Sequence, residues 1–98
     1  MRNVVKRRRS ASFTARLFRI PGKGGWTFAP IPKEYAPPAT RPWGRTPVRA
    51  RVDDYEWTTS VWRDKKADRS LLAVPTQARG EKGHGDVVRV RFTILDDD

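Results

Sequence analysis

Two runs of alternating residues meet at Asp53-Asp54, and they constrain the fold more than any other stretch of this chain. In TPVRARVDDYEWTTSVW (residues 46–62), Thr46, Val48, Ala50 and Val52 alternate with Pro47, Arg49 and Arg51. Tyr55, Trp57, Thr59 and Val61 then alternate with Glu56, Thr58, Ser60 and Trp62. A period of two in β-branched and aromatic residues predicts strands. With Asp53 and Asp54 at the centre of a hairpin turn, Val52 faces Tyr55, Ala50 faces Trp57, Val48 faces Thr59 and Thr46 faces Val61. Small residues then oppose large ones, as a packed face requires. The same register sets Arg51 opposite Glu56, for an ion pair, and Arg45 opposite Trp62, for a cation–π contact. A slip of one residue would carry Arg49 and Arg51 into the apolar face. Asp tolerates positive φ but is a weaker hairpin signal than Asn-Gly, so a longer loop is the alternative.

The chain has 98 residues, room for a single core and no second domain. Hydrophobic residues make up 37% and charged ones 33%, so the four Trp, four Phe and two Tyr are expected to carry the core of a lean globular domain. With no cysteine there is no disulfide framework, thiolate metal site or thiol nucleophile, and a reducing compartment is expected. No apolar run approaches the length of a membrane span, and the basic N-terminus lacks the apolar segment of a signal peptide. The expected location is cytoplasmic, without membrane association.

Net charge is +10, but Met1 to Arg9 holds five of the basic residues, leaving a net +5 on residues 10–98. Residues 1–11 are expected to be a basic tail, 12–95 a single β-barrel domain and 96–98 an acidic tail. Such a balance favours anionic partners, nucleic acid included, and equally suits a soluble arginine-rich surface.

Phe13, Ala15 and Leu17 alternate with Thr14, Arg16 and Phe18 in a first strand. Trp26 and Phe28 alternate with Thr27 and Ala29 in a second, after the turn Pro21-Gly22-Lys23-Gly24-Gly25. That turn lacks the spacing of a phosphate-binding loop and precedes no helix. Six of the eight prolines fall in 30–47, excluding a central strand or long helix there, although Lys33–Ala36 has room for one helical turn. Leu72 and Val74 point inward in a later strand, where Leu71 and Ala73 leave burial of both faces open. Residues 76–82 allow one or two helical turns after Pro75, and Val88, Val90, Phe92 and Ile94 form the inward row of the last strand.

Together these predict an all-β pseudobarrel of about six strands, near 12–20, 25–30, 45–53, 55–62, 70–75 and 86–95, with one or two short helical turns. An OB-like barrel is the alternative topology.

Three ordered pieces carry a resemblance. They are F-x-A-x-L at 13–17 with G-G-W-T-F at 24–28, G-R-T-P-V-R-A-R-V-D at 44–53, and V-P-x-x-x-R with G-D-x-V-x-V across 74–90. In order and spacing they resemble the bacterial domain-of-unknown-function 1905 family across residues 12–95. The resemblance implies a small double-split β-barrel, distantly AbrB-like in fold, and no established activity. Pro75-x-x-x-Arg79 with Gly85-Asp86-x-Val88 also resembles the closing motif of AbrB-type DNA-binding proteins. Here the linker between them is shorter and carries Gly80 and Gly83. A shared fold does not transfer function.

For catalysis the sequence offers little. His84, between Gly83 and Gly85, reads as a surface turn residue. Neither Asp53-Asp54 nor Asp96–Asp98 has calcium-loop spacing, and Ser60 or Ser70 would depend on His84 alone. No enzyme, metal or cofactor is expected. The expected function is a non-enzymatic binding or accessory module for a small anionic or peptide ligand. Arg41, Trp43, Arg45, Trp62 and Arg63 combine cations with aromatic rings at the proline-rich loop and are the candidate ligand residues. The alternative is an AbrB-like nucleic-acid-binding protein using the Arg7-Arg8-Arg9 arm with Arg49 and Arg51. A monomer is expected, and a homodimer is the alternative.

Overall fold

The computed structural model describes residues 10–21, 25–37 and 44–95. Among them lie seven strands: β1 (Ser10–Arg16), β2 (Phe18–Arg19), β3 (Thr27–Ile31), β4 (Arg45–Val52), β5 (Tyr55–Asp64), β6 (Arg69–Ala73) and β7 (Val87–Ile94). A 3-10 turn at Lys33–Tyr35 and a four-residue helix, α1 (Thr76–Arg79), are the helical pieces. The strands form one antiparallel sheet in the order β1-β7-β4-β5-β6-β3-β2, curled into a half-barrel.

The expected first strand is divided at Leu17, which turns six strands into seven. Before Leu17 the chain pairs with β7, from Ser10 opposite Thr93 to Arg16 opposite Val87. Beyond it, Phe18 pairs with Phe28 and Arg19 with Thr27 of β3. The two outer strands of the sheet are therefore consecutive pieces of one segment. At the break Leu17 donates its N–H to the Asp86 carbonyl and accepts from the Gly85 N–H, both at 2.8 Å, so the turn before β7 satisfies the backbone where the chain changes partners. Pairing begins two residues before the expected start, at Ser10, and Ala11 is buried.

The β4–β5 hairpin has the two-residue turn and the register its sequence predicts, from Val52 opposite Tyr55 to Arg45 opposite Trp62. Asp53 takes φ 52, the left-handed conformation that Asp tolerates better than most residues. Thr46, Val48, Ala50 and Val52 are all buried, which fixes the register because a slip would exchange them for arginines. Pro47 is accommodated within β4 because the β4–β7 ladder starts at Val48, while the Pro47 carbonyl still accepts from Leu95.

The core is aliphatic rather than aromatic. Ala15, Leu17, Ala29, Ile31, Val48, Ala50, Val52, Val61, Leu72, Val74, Val88 and Val90 fill it, and Phe92 is its one fully buried large ring among the described residues. Phe13, Tyr35 and Trp57 pack against it from its margin. Phe13 meets Phe92 edge-on at 6.3 Å and stacks on Tyr35 at 5.7 Å, so the 3-10 turn covers one end of the half-barrel.

Trp26 departs most from expectation: it is 59% exposed, not core. In β3 the inward row is Thr27, Ala29 and Ile31, so Trp26, Phe28 and Pro30 point outward. Thr27, Ala29 and Ile31 take the inward side, and the Trp26 and Phe28 rings lie on the opposite one. On that side β6 is buried as well, because Leu71, at 5% exposed, lies between Pro30 and Trp62 in neighbouring strands.

Helix α1 is a single turn that ends at Gly80, φ 59, short of the expected limit at residue 82. The residues of the AbrB-like motif serve this connection. Arg79 donates to the carbonyls of Val74 and Lys82, each at 3.2 Å, and to Thr76 Oγ1 at 3.4 Å. The Asp86 carboxylate accepts from Gly83 N–H at 2.8 Å.

Candidate anion-binding face

The residues singled out in the sequence are not gathered into one place. Arg41 and Trp43, with Arg7, Arg8 and Arg9, lie outside the described residues. Arg45 and Trp62 face one another in register on the outer side of the sheet, and Trp62 is 41% exposed. They do not form the expected cation–π contact; Arg69 instead lies over the Phe18 ring, 4.8 Å from its centroid. Arg63 follows Trp62 directly, so its side chain leaves the strand on the opposite side. There it pairs with Asp68, which also receives Lys33 Nζ at 3.4 Å. Arg63 and then Lys33, through hydrogen bonds and charge, hold the Asp68 carboxyl below its ordinary value. Gly44, at φ 69, packs so closely on Arg63 that a Cβ there would sit 3.1 Å from the Arg63 Cβ.

A different set of arginines converges on the outer face of β4 and β7. The inward rows of both strands are apolar, so Arg49 and Arg51 of β4 and Arg89 and Arg91 of β7 all project outward and are exposed. Antiparallel pairing then places Arg51 directly opposite Arg91 and Arg49 opposite Thr93. On the far side of β7, Ser12 stands opposite Arg91, Thr14 opposite Arg89 and Ser10 opposite Thr93. Ser10 and Thr93 hydroxyls are 3.0 Å apart. The result is three successive rungs, each carrying at least one arginine and one β1 hydroxyl.

Two adjoining hollows follow this ladder and share Arg51 and Arg91. One, of about 460 Å³, is completed by Ser12, Asp53, Asp54 and Arg89. The other, of about 240 Å³, is completed by Arg49, Glu56 and Thr93. The expected Arg51–Glu56 ion pair is replaced by a diagonal one: Arg49 Nε donates to Glu56 Oε2 at 2.9 Å. Both groups are about half exposed, so the pair contributes only about 0–1 kcal/mol. Arg51 turns the other way and donates from Nε to the Asp53 carbonyl at 3.0 Å. Among the described residues neither the Arg89 nor the Arg91 guanidinium has a carboxylate partner.

Asp53 organises one end of this face. Its Oδ1 accepts from the Arg89 N–H and its Oδ2 from Lys82 Nζ, each at 3.0 Å. The Arg89 N–H above all, and Lys82 by hydrogen bond and charge, hold this carboxyl below its ordinary value against the opposing effect of burial. Lys82 also donates to the Val87 carbonyl at 2.8 Å.

Directly opposed like charges on adjacent strands repel, because their Cβ atoms lie about 4.5–5.5 Å apart. An anion seated between Arg51 and Arg91 relieves that repulsion and receives two guanidinium forks suited to bidentate contact with phosphate or carboxylate oxygens. Periodicity had placed Arg89 and Arg91 on the outward side of the last strand. It gave no sign that this strand would lie against β4, and the site depends on that pairing.

His84 is exposed in its turn, where its Nδ1 accepts from the Arg19 N–H at 3.0 Å. No three His, Asp or Glu side chains among the described residues are grouped to hold a metal ion. No helix among them is long and apolar enough to cross a membrane.

No curated protein matches the chain. The family model for Domain of unknown function (DUF1905) matches residues 13–94, all seven strands except the first three residues of β1, and the chain belongs to that family.

Proposed function

We propose that this domain is a non-enzymatic binding module for a small anionic ligand, held on the outer face of β4 and β7. The observation that carries the reading is the direct opposition of Arg51 and Arg91, with Arg89 and Arg49 on the neighbouring rungs. Four guanidinium groups at that spacing, of which only Arg49 has a carboxylate partner among the described residues, form an anion receptor. The β1 hydroxyls supply neutral donors beside it. Within this reading Arg63 has a structural role at the β5–β6 turn, because Asp68 already satisfies its charge. Trp62 and Arg45 lie farther along the same outer face, where Trp62 borders Leu71.

Thermal denaturation with inorganic phosphate and pyrophosphate, matched in ionic strength to chloride controls, tests the proposal. At tenfold excess over Kd a bound anion adds about 1.4 kcal/mol, which raises Tm by several degrees in a domain of this size. Arg91→Glu should abolish the shift. Equal shifts in the variant, or none in the parent beyond the chloride control, would remove the basis for the site.

A further inference from the structure

We infer that the ligand of the arginine ladder is the sugar–phosphate backbone of a single-stranded nucleic acid, with consecutive phosphates on consecutive rungs. This rests on the anion-binding reading above and specifies its partner. Along β7 and β4 the rungs are Arg89 beside Asp53, Arg91 opposite Arg51, and Thr93 opposite Arg49. Successive rungs are two residues apart, about 6.6 Å of strand. A nucleotide step contains as many backbone bonds as two amino-acid residues, so an extended strand running along the ladder repeats its phosphates with the period of the arginines. The two hollows meet at Arg51 and Arg91, which makes the central rung a shared station rather than the wall of a closed pocket. That arrangement suits a chain of anions passing over the surface.

The shape of the face selects a single strand over a duplex. Outward residues of β1, β7, β4 and β5 form one continuous surface, since all four strands are neighbours in the sheet. Four strands spaced about 4.8 Å apart, with side chains on both flanks, are wider than the two-stranded ribbon that a major groove of about 12 Å admits. The convex surface of a half-barrel cannot wrap the outside of a double helix either. Ser10, Ser12 and Thr14 run beside the arginines as hydroxyl donors for phosphate or sugar oxygens. The face carries no aromatic ring on the β1, β7 or β4 rungs, so contact is with the backbone and independent of base sequence.

The test is fluorescence anisotropy of a labelled twelve-nucleotide oligo-dT with the full chain at several salt concentrations, beside a duplex of equal length and calorimetry with pyrophosphate. The inference expects the single strand to bind at least tenfold more tightly than the duplex. About three phosphates engaged give a slope of log K against log salt near −2 from the ladder. Arg51→Gln/Arg91→Gln should weaken oligo-dT binding at least tenfold without lowering Tm. Arg91→Gln alone should weaken it in the same direction. Replacing Arg7, Arg8 and Arg9 by Gln should leave the single-strand preference in place. Tighter duplex binding, or binding lost with the tail substitutions and kept in the double variant, overturns the inference. Pyrophosphate binding that depends on Arg91 with no gain for oligo-dT also overturns it, while leaving the anion site intact. Failure of both ligands removes both readings.

Discussion

Asp53 and Arg89 are joined by reciprocal hydrogen bonds: Arg89 donates its backbone N–H to Asp53 Oδ1 at 3.0 Å, and Asp53 donates its own N–H to the Arg89 carbonyl at 2.9 Å. The hairpin turn is thereby fastened to β7, which fixes the register that brings Arg51 opposite Arg91. Asp53→Ala removes two carboxylate bonds and leaves a residue with a Cβ at φ 52, so urea denaturation should show a loss of about 1–3 kcal/mol.

The same carboxyl makes stability depend on pH. Its folded value lies below the ordinary 3.8, through the Arg89 N–H first and Lys82 second, against burial. A group depressed in the folded state contributes fully above its unfolded value, and that contribution disappears as pH falls through the folded one. The advantage of the parent over Asp53→Asn should therefore be constant near neutrality and shrink below about pH 4 in denaturation curves collected across that range.

Arg91→Glu converts the central like-charge pair into a cross-strand ion pair with Arg51. At low salt the variant should be more stable than the parent by about 0.2–1 kcal/mol, and the gain should fade with added salt. A destabilised variant would mean that Arg51 and Arg91 do not repel in the free protein.

Trp26 and Phe92 should respond oppositely to truncation. Trp26→Ser removes a ring that is 59% exposed, and the expected cost is below about 0.5 kcal/mol. Phe92→Ala empties the centre of the core, where the ring is 2% exposed, at about 3–5 kcal/mol. Chemical denaturation of the two variants side by side checks the inverted face of β3.

The Ser70 hydroxyl is buried and has no hydrogen-bond partner among the described residues. Leaving such a group unsatisfied costs about 1–3 kcal/mol, so Ser70→Ala should be neutral or stabilising. A marked fall in Tm would reveal a partner for that hydroxyl.

The hairpin was legible because two alternating runs of matched length flank a two-residue turn, leaving one register with the arginines outside. The same logic picked the inward row of β7. It misplaced Trp26 because β3 reads equally well with either row inward, and the choice of Thr27, Ala29 and Ile31 is made by packing against the rest of the sheet, which no local pattern shows. The break at Leu17 depends on hydrogen bonds from Gly85 and to Asp86, nearly seventy residues away, and no local pattern announces it. For the candidate site, Arg49 and Arg51 were visible as an outward row. Their partners Arg89 and Arg91 were visible only as another outward row, since strand order is a long-range property. The ion pair expected at Arg51 formed at Arg49 because Glu56 reaches diagonally, while Arg51 is drawn to the Asp53 carbonyl.

Nitrogen-15 NMR of the arginine Nε–Hε groups during titration with pyrophosphate tests the arginine face most directly. Saturable shifts are expected at Arg51 and Arg91, smaller ones at Arg89 and Arg49, and none at Arg63 or Arg79, whose guanidinium groups are already engaged within the fold. Shifts centred on Arg45, Arg63 or the residues 1–9, with Arg51 and Arg91 unmoved, would contradict that expectation.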